Sequence, residues 1–241
     1  LALLRREVLE DLARGRAPAE GEAELRRTGM AVEDADAERA GVLDYLGEVN
    51  RRDAGVTAAV FLGLSCNFAC PYCFENGLDR SAALAEPTAE QLGRFLLERL
   101  HPGKRRLTID FYGGEPLLYL PHLRTLSAML QAGCRTRGVE YRFTLVTNGS
   151  RLTPEVVESL RPLGLASAKV TLDGPPDLHD RSRPFRSGRG TFDTVTSNLR
   201  ACAGLLPIAI AGNYTESTWR AFPALLDRLV DEGLGPDRIA R

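Results

Sequence analysis

Three cysteines stand on one short stretch, Cys66-Asn67-Phe68-Ala69-Cys70-Pro71-Tyr72-Cys73. Soft thiolates this close together hold zinc, copper(I) or an iron-sulfur cluster. Their number bears on which. A cubane 4Fe-4S cluster kept only for passing electrons takes four protein thiolates, so three leave one iron open. An open metal position marks a site that does chemistry. The rival reading is a structural zinc knuckle, with Cys134, Cys202, His101, His122 or His179 as the fourth ligand, and spacing alone leaves both open. Five cysteines in 241 residues, sparse and odd in number, argue against a disulfide-built secreted scaffold.

The elements that must position these thiols form a repeating unit from about Val56 onward. Short apolar segments at Thr57 to Leu64, Leu107 to Tyr112, Arg142 to Thr147, Ala168 to Leu172 and Pro207 to Ala211 read as strands, each followed by turn residues. Helical faces alternate with them. Leu92, Phe95, Leu96 and Leu100 follow a Thr88/Gln91 capping box. Leu123, Leu126 and Leu130 make the next face, and Val156, Val157 and Leu160 follow Thr153-Pro154, where proline suits a first helical turn. Phe192, Val195 and Leu199 make a fourth, and Phe222, Leu225, Leu226 and Leu229 a fifth. Strand-helix units in series predict a parallel sheet with right-handed crossovers, either doubly wound or barrel-like. In either case chemistry gathers at the carboxyl ends of the strands. There the sequence sets the cysteines, then Gly113-Gly114-Glu115-Pro116, Asn148-Gly149, Asp173-Gly174-Pro175 and Gly212-Asn213. The two glycines suit a ligand approaching the backbone closely, with a bare turn as the plainer reading. The basic run Arg181, Arg183, Arg186, Arg189 is either a solvated loop or a holder of carboxylate.

Residues 1–55 differ in character. Leu4, Val8, Leu9 and Leu12 lie at helical spacing before Gly15, and a second helix from Ala37 to Asn50 carries Val42, Leu43, Leu46 and Val49 on one face. This region is read as a helical cap packed on the main domain or as part of a peptide-recognition module. A content of 44% hydrophobic residues supplies a sizeable core, and a formal charge of −1 gives no footprint for nucleic acid or an acidic membrane. No apolar run approaches the ~20 residues that span a bilayer, and no signal peptide is visible, so a cytoplasmic location is expected. The chain starts at Leu1 and stops at Arg241, as a fragment would.

Cys-x3-Cys-x2-Cys with Tyr72 before its last cysteine, then Gly-Gly-Glu-Pro, Thr-Asn-Gly and Thr-Leu-Asp-Gly-Pro at successive strand ends, resembles the radical S-adenosylmethionine (SAM) superfamily over Thr57 to Arg241. Cys73-Phe74-Glu75 and the Thr171 to Arg183 stretch are most similar to its peptide- and protein-modifying members with a SPASM extension. Asp34 to Arg52 resembles the entry to maturases of ribosomally made geopeptides. The resemblance implies a partial (β/α) TIM-like barrel with five of its six βα units at 56–241, truncated at its C-terminal end, behind a small mainly helical region at 1–55. It implies that Cys66, Cys70 and Cys73 ligate a 4Fe-4S cluster whose fourth iron binds the methionine moiety of SAM. Gly113, Gly114 and Glu115 would meet the methionine amine mainly through backbone, Arg183 and Thr171 its carboxylate, and Tyr72 the adenine. Asn148 and Asn213 are further pocket candidates. Thr171 stands where serine is common. The implied reaction is one-electron cleavage of SAM to a 5'-deoxyadenosyl radical that abstracts hydrogen from a precursor peptide, with flavodoxin or ferredoxin as reductant. Any SPASM clusters would lie beyond Arg241. Sulfatase maturation, another substrate class, or a non-catalytic metal-binding α/β domain are the alternatives.

Overall fold

The computed structural model describes residues 6, 10–11, 14–16, 22–27, 29, 31–32, 34–236 and 238–239. The chain divides into two compact units, Leu1–Asp53 and Ala54–Arg241. The first contains α1 (Glu22–Arg27) and α2 (Ala35–Arg52). Asp34 caps α2, its carboxylate accepting the N–H groups of Asp36 at 2.9 Å and Ala37 at 3.0 Å, so the helix begins two residues before Ala37. None of its residues is buried, and Val42, Leu43, Leu46 and Val49 are 44–58% exposed. The helix expected from Leu4 to Leu12 falls largely outside the described residues.

The second unit is a parallel sheet of β1 (Gly55–Phe61), β2 (Arg106–Tyr112), β3 (Glu140–Thr147), β4 (Leu165–Thr171) and β5 (Ile208–Ala211). Between and after the strands run α3 (Glu86–Glu98), α4 (Leu120–Arg135), α5 (Pro154–Leu160), α6 (Pro176–Ser182), α7 (Phe192–Cys202) and α8 (Phe222–Asp231). The strand order is simply β1-β2-β3-β4-β5. A doubly wound sheet reverses direction at a switch point, whereas here every strand adds on the same side of the last. This is the winding of a partial barrel.

Burial along the strands shows what covers them. Leu107, Ile109 and Phe111 of β2 and Tyr141, Phe143 and Leu145 of β3 are buried, while Thr108, Asp110, Tyr112, Arg142, Thr144 and Val146 between them are only half-buried. A parallel strand covered by helices on both faces reads as a continuous apolar run, so strict alternation means that helices cover one face only. Against that face lie Leu123, Leu126 and Leu130 of α4, Val157 and Leu160 of α5, Val195 and Leu199 of α7, and Leu225 and Leu229 of α8. Cys134 and Cys202 are buried in the same core. The other face is polar, with Thr144 Oγ1 3.1 Å from Ser167 Oγ and Arg142 Nε donating to Thr108 Oγ1 at 3.2 Å.

Strand starts shift by up to three residues from the sequence expectation, β4 beginning at Leu165 rather than Ala168, and three differences have a visible cause. Pro87 fits the first turn of α3, so that helix starts at Glu86 and Thr88 lies inside it; Ala85 caps it with no side-chain bond. β1 ends at Phe61 rather than Leu64 because the chain turns there into the cysteine loop. α6 occupies a stretch read as loop, and Arg181 of the basic run belongs to it.

The contrast between units gives a test. Phe143→Ala, which empties a fully buried ring site, should cost about 3–5 kcal/mol. Leu43→Ala on the exposed face of α2 should stay within about 0.5 kcal/mol. Urea unfolding of both variants measures the difference.

Candidate active site

Parallel strands all end on one edge of the sheet, and at that edge opens a cleft of about 400 Å³. Cys66, Cys70, Cys73, Tyr72, Gly113, Gly114, Asn148, Thr171, Arg183 and Asn213, ten of the eleven residues that the sequence nominated, line it. Glu115 does not.

The cysteine loop is sewn to the loop that follows α6. Phe68 and Phe185 form an antiparallel bridge, Ala69 N–H donates to Pro184 O at 2.9 Å, and Arg186 N–H donates to Asn67 O at 3.0 Å. Arg186 Nε adds a bond to Cys66 O at 2.7 Å, so this member of the basic run is spent on the cysteine loop. The Phe68 ring, 1% exposed, packs edge-on against Phe185 at 5.2 Å. Cys66 Sγ accepts Phe68 N–H at 3.4 Å and the Asn148 amide at 3.7 Å. Burial pushes the Cys66 thiol up and Cys70 up to about 11, so these thiols keep their protons until a metal displaces them. Among the described residues no three His, Cys, Asp or Glu side chains are grouped to hold a single ion. A tetrahedral zinc, with Zn–S near 2.3 Å, needs such a group. A cubane binds each thiolate through a different iron, so it does not require the three sulfurs to share one ion.

The glycine pair has a cause that the sequence reading did not contain. A Cβ on Gly114 would stand 2.2 Å from Ser65 O, and one on Gly113, whose φ is +109°, would stand 2.7 Å from Gly63 O. The backbone that comes close is the chain's own. Gly114 N–H and Glu115 N–H donate to those same carbonyls at 3.1 and 2.9 Å. The Glu115 side chain, fully buried, turns away from the cleft. Its carboxylate accepts Leu117 N–H at 3.0 Å, Thr147 Oγ1–H at 2.7 Å and Asn148 N–H at 2.8 Å. Burial pushes its pKa up while the three donors pull it back toward the ionised form.

Arg183 sits at the opposite wall. Its Nη1 donates to Tyr72 OH at 2.6 Å and lies 3.7 Å from Asp173 Oδ2, while its buried Nε has no partner. Tyr72 OH also donates to Asp173 Oδ2 and accepts the Asn213 amide at 3.2 Å. Burial raises the Tyr72 pKa, with Asp173 adding to the shift. The backbone at Arg183 is held as well. Asp173 N–H donates to His179 Nδ1 at 3.1 Å, His179 Nε2 lies 3.1 Å from Thr191 Oγ1, and Thr191 Oγ1–H donates to Arg183 O at 2.7 Å. This chain of bonds fixes a neutral His179 with its proton on Nε2.

His179 and Asp173 escaped sequence reasoning, because the first looked like one of three scattered histidines and the second like part of a turn. Glu75 and Lys169 escaped it too. Glu75 is 3% exposed with one carboxylate oxygen unpartnered, and Lys169 projects from β4; both line the cleft. The adjacency of Glu75 to the cysteine motif was the available signal.

His179 makes the brace sensitive to acid. Burial, then the Arg183 charge, lowers its pKa to about 4. A group held neutral in the fold and free to protonate near 6.5 when unfolded contributes stability that is complete above pH 6.5 and is lost as pH falls toward 4. The loss is on the order of 3 kcal/mol at most. His179→Gln should lower stability at pH 7 and flatten the difference between pH 7 and pH 4 relative to the parent, as read by urea unfolding at each pH.

Comparison with known proteins bears on this cleft. Residues 60–229 match the family model described as the Radical SAM superfamily. The chain is 27% identical over 168 residues to Fe-coproporphyrin III synthase of Methanosarcina barkeri, covering 69% of this chain and 39% of that protein. It is 29% identical over 142 residues to the serine-type anaerobic sulfatase-maturating enzyme of Klebsiella aerogenes, covering 57% of this chain and 34% of that one. The chain thus spans well under half the length of these relatives. Among solved structures, native anSMEcpe with bound AdoMet and Kp18Cys peptide shares the fold, with a TM-score of 0.66 at 18% identity over 75% of this chain and 49% of that one. The match over most of the cleft-forming unit means that this chain belongs to the radical SAM superfamily, enzymes that work with a 4Fe-4S cluster and S-adenosylmethionine.

Proposed function

We propose that this chain is the catalytic core of a peptide-modifying radical SAM enzyme of the SPASM-bearing group, working in the cytoplasm on a ribosomally made precursor. The observation that carries the reading is the meeting, in one cleft, of three separately held thiols with a guanidinium whose buried Nε has no partner. The residues fit both groups. Cys66, Cys70 and Cys73 would ligate three irons, and the thiols would lose their protons on doing so. Arg183 would hold the methionine carboxylate, and Thr171, which also lines the cleft, would offer its hydroxyl. The Gly113-Gly114 backbone would meet the amine. When bound, the cluster and SAM supply a one-electron reductive cleavage that ends in hydrogen abstraction from the substrate. The protein's part is to orient the cofactor, exclude water and present the substrate. Glu75, Arg80 and Lys169 are the cleft's charged groups left for the substrate end.

Residues 1–55 fit a part in peptide recognition, since α2 carries an uncovered apolar face. A flavodoxin or ferredoxin would serve as the reductant. A second reading, a radical SAM enzyme acting on a small molecule, is favoured by the likeness to Fe-coproporphyrin III synthase.

Anaerobic reconstitution with iron and sulfide, followed by dithionite and SAM, is expected to yield 5'-deoxyadenosine. The Cys66→Ala, Cys70→Ala, Cys73→Ala variant should yield none. A parent that binds zinc alone, or holds a cluster and never cleaves SAM, would refute the radical reading.

The substrate class is tested by mass spectrometry after turnover with short peptides encoded beside the gene. A mass change in one of them supports the peptide reading. Turnover only of a tetrapyrrole or another small molecule transfers it to the second.

A further inference from the structure

Asp173 lies directly beyond the end of β4 and is 2% exposed, yet it is absent from the cleft lining. A carboxylate buried this far must have its oxygens satisfied. Oδ1 accepts Asn213 N–H at 2.8 Å and its side-chain amide at 3.2 Å. Oδ2 accepts the Tyr72 hydroxyl proton. That hydroxyl has one proton and two lone pairs. Because Arg183 and Asn213 can only donate to it, its proton must go to Asp173. The network therefore has one direction, from Arg183 through Tyr72 to Asp173.

This direction fixes the guanidinium. Nη1 is committed to Tyr72 OH, so the edge formed by Nε and Nη2 remains for a ligand. Arginine grips a carboxylate through two parallel N–H donors on one edge, and rotation of the plane destroys that geometry. We propose that Asp173 is a positioning residue for cofactor binding. Acting through Tyr72, it sets the rotation of Arg183 so that its Nε edge faces the methionine carboxylate of SAM. The inference rests on the reading of Arg183 given above. Its competitor is a purely architectural Asp173 that ties the end of β5 to the end of β4 through Asn213.

The test measures SAM binding by equilibrium dialysis on anaerobically reconstituted protein with matched cluster content. Four proteins are compared: the parent, Asp173→Asn, Tyr72→Phe and the double variant. Each single substitution breaks one link of a charge-assisted chain and should weaken binding about tenfold. The double variant should also lie near tenfold, because residues acting in series do not add. An architectural Asp173 predicts otherwise: the double variant would reach about a hundredfold, or Asp173→Asn would bind like the parent, and either result overturns the proposal. Should Asp173→Asn fail to fold, Tyr72→Phe decides alone, and parent-like binding by it removes the relay. A parent that holds a cluster and binds no SAM refutes the functional reading itself, and this is seen before any variant is compared.

Discussion

A fully buried carboxylate is the constraint on which the cleft depends. Glu115 can be tolerated without solvent only if donors surround it, and the donors come from two strand ends. One is in its own turn, at Leu117; the others, Thr147 and Asn148, belong to the end of β3. The bond to Asn148 N–H fixes the residue whose side-chain amide donates to Cys66 Sγ and to Asn67 Oδ1 at 3.7 and 2.9 Å. One ion thus sets the spacing of the β2 and β3 loops, and through Asn148 it reaches the thiols. An apolar residue at 115 would strand three buried donors, each at a cost of about 1–3 kcal/mol.

Two further ties complete the site, and they differ in kind. The cysteine loop and the loop after α6 are joined mainly through backbone bonds, which hold position whatever the side chains are. Arg183 is joined through side chains and one neutral histidine, which hold orientation. Thiolates bound to a cluster need placement within a pocket, and a guanidinium that grips a carboxylate needs a defined plane. On the proposed reading, each tie suits what it would hold.

Much of this was legible in the sequence because it is written in short-range pattern. Short apolar segments gave the strands, turn residues gave their ends, and the rule that parallel strands finish on one edge brought the chemistry to one place. What was not legible depends on partners distant in the chain. The Gly113-Gly114 pair suggested a ligand drawing near, and nothing local announced that Gly63 and Ser65 carbonyls fill the space where their Cβ atoms would stand. Thr88 looked like a cap, and only the position of Pro87 in the first turn of α3 shows why the helix starts earlier. Glu115, nominated for its backbone, does its work through a side chain pointing the other way. His179, Asp173 and Arg186 stood out only as a spare zinc ligand, part of a strand-end turn and one of a basic run, and nothing local gave the bonds they make, since their partners are the backbone or the side chains of other loops.

The plain order β1-β2-β3-β4-β5 has a consequence for how the molecule is made. Each strand pairs with the one synthesised just before it, so the sheet can grow in step with the emerging chain, with little loop-closure entropy at each addition. The active site cannot be built that way. The cysteine loop at 66–73 is closed by partners at Pro184, Phe185 and Arg186, more than half the unit later. During synthesis the three thiols are therefore among the first functional groups to appear and among the last to be enclosed. On the reading that these thiols hold a cluster, that would leave an interval for an iron-sulfur donor to reach them without having to open a finished fold.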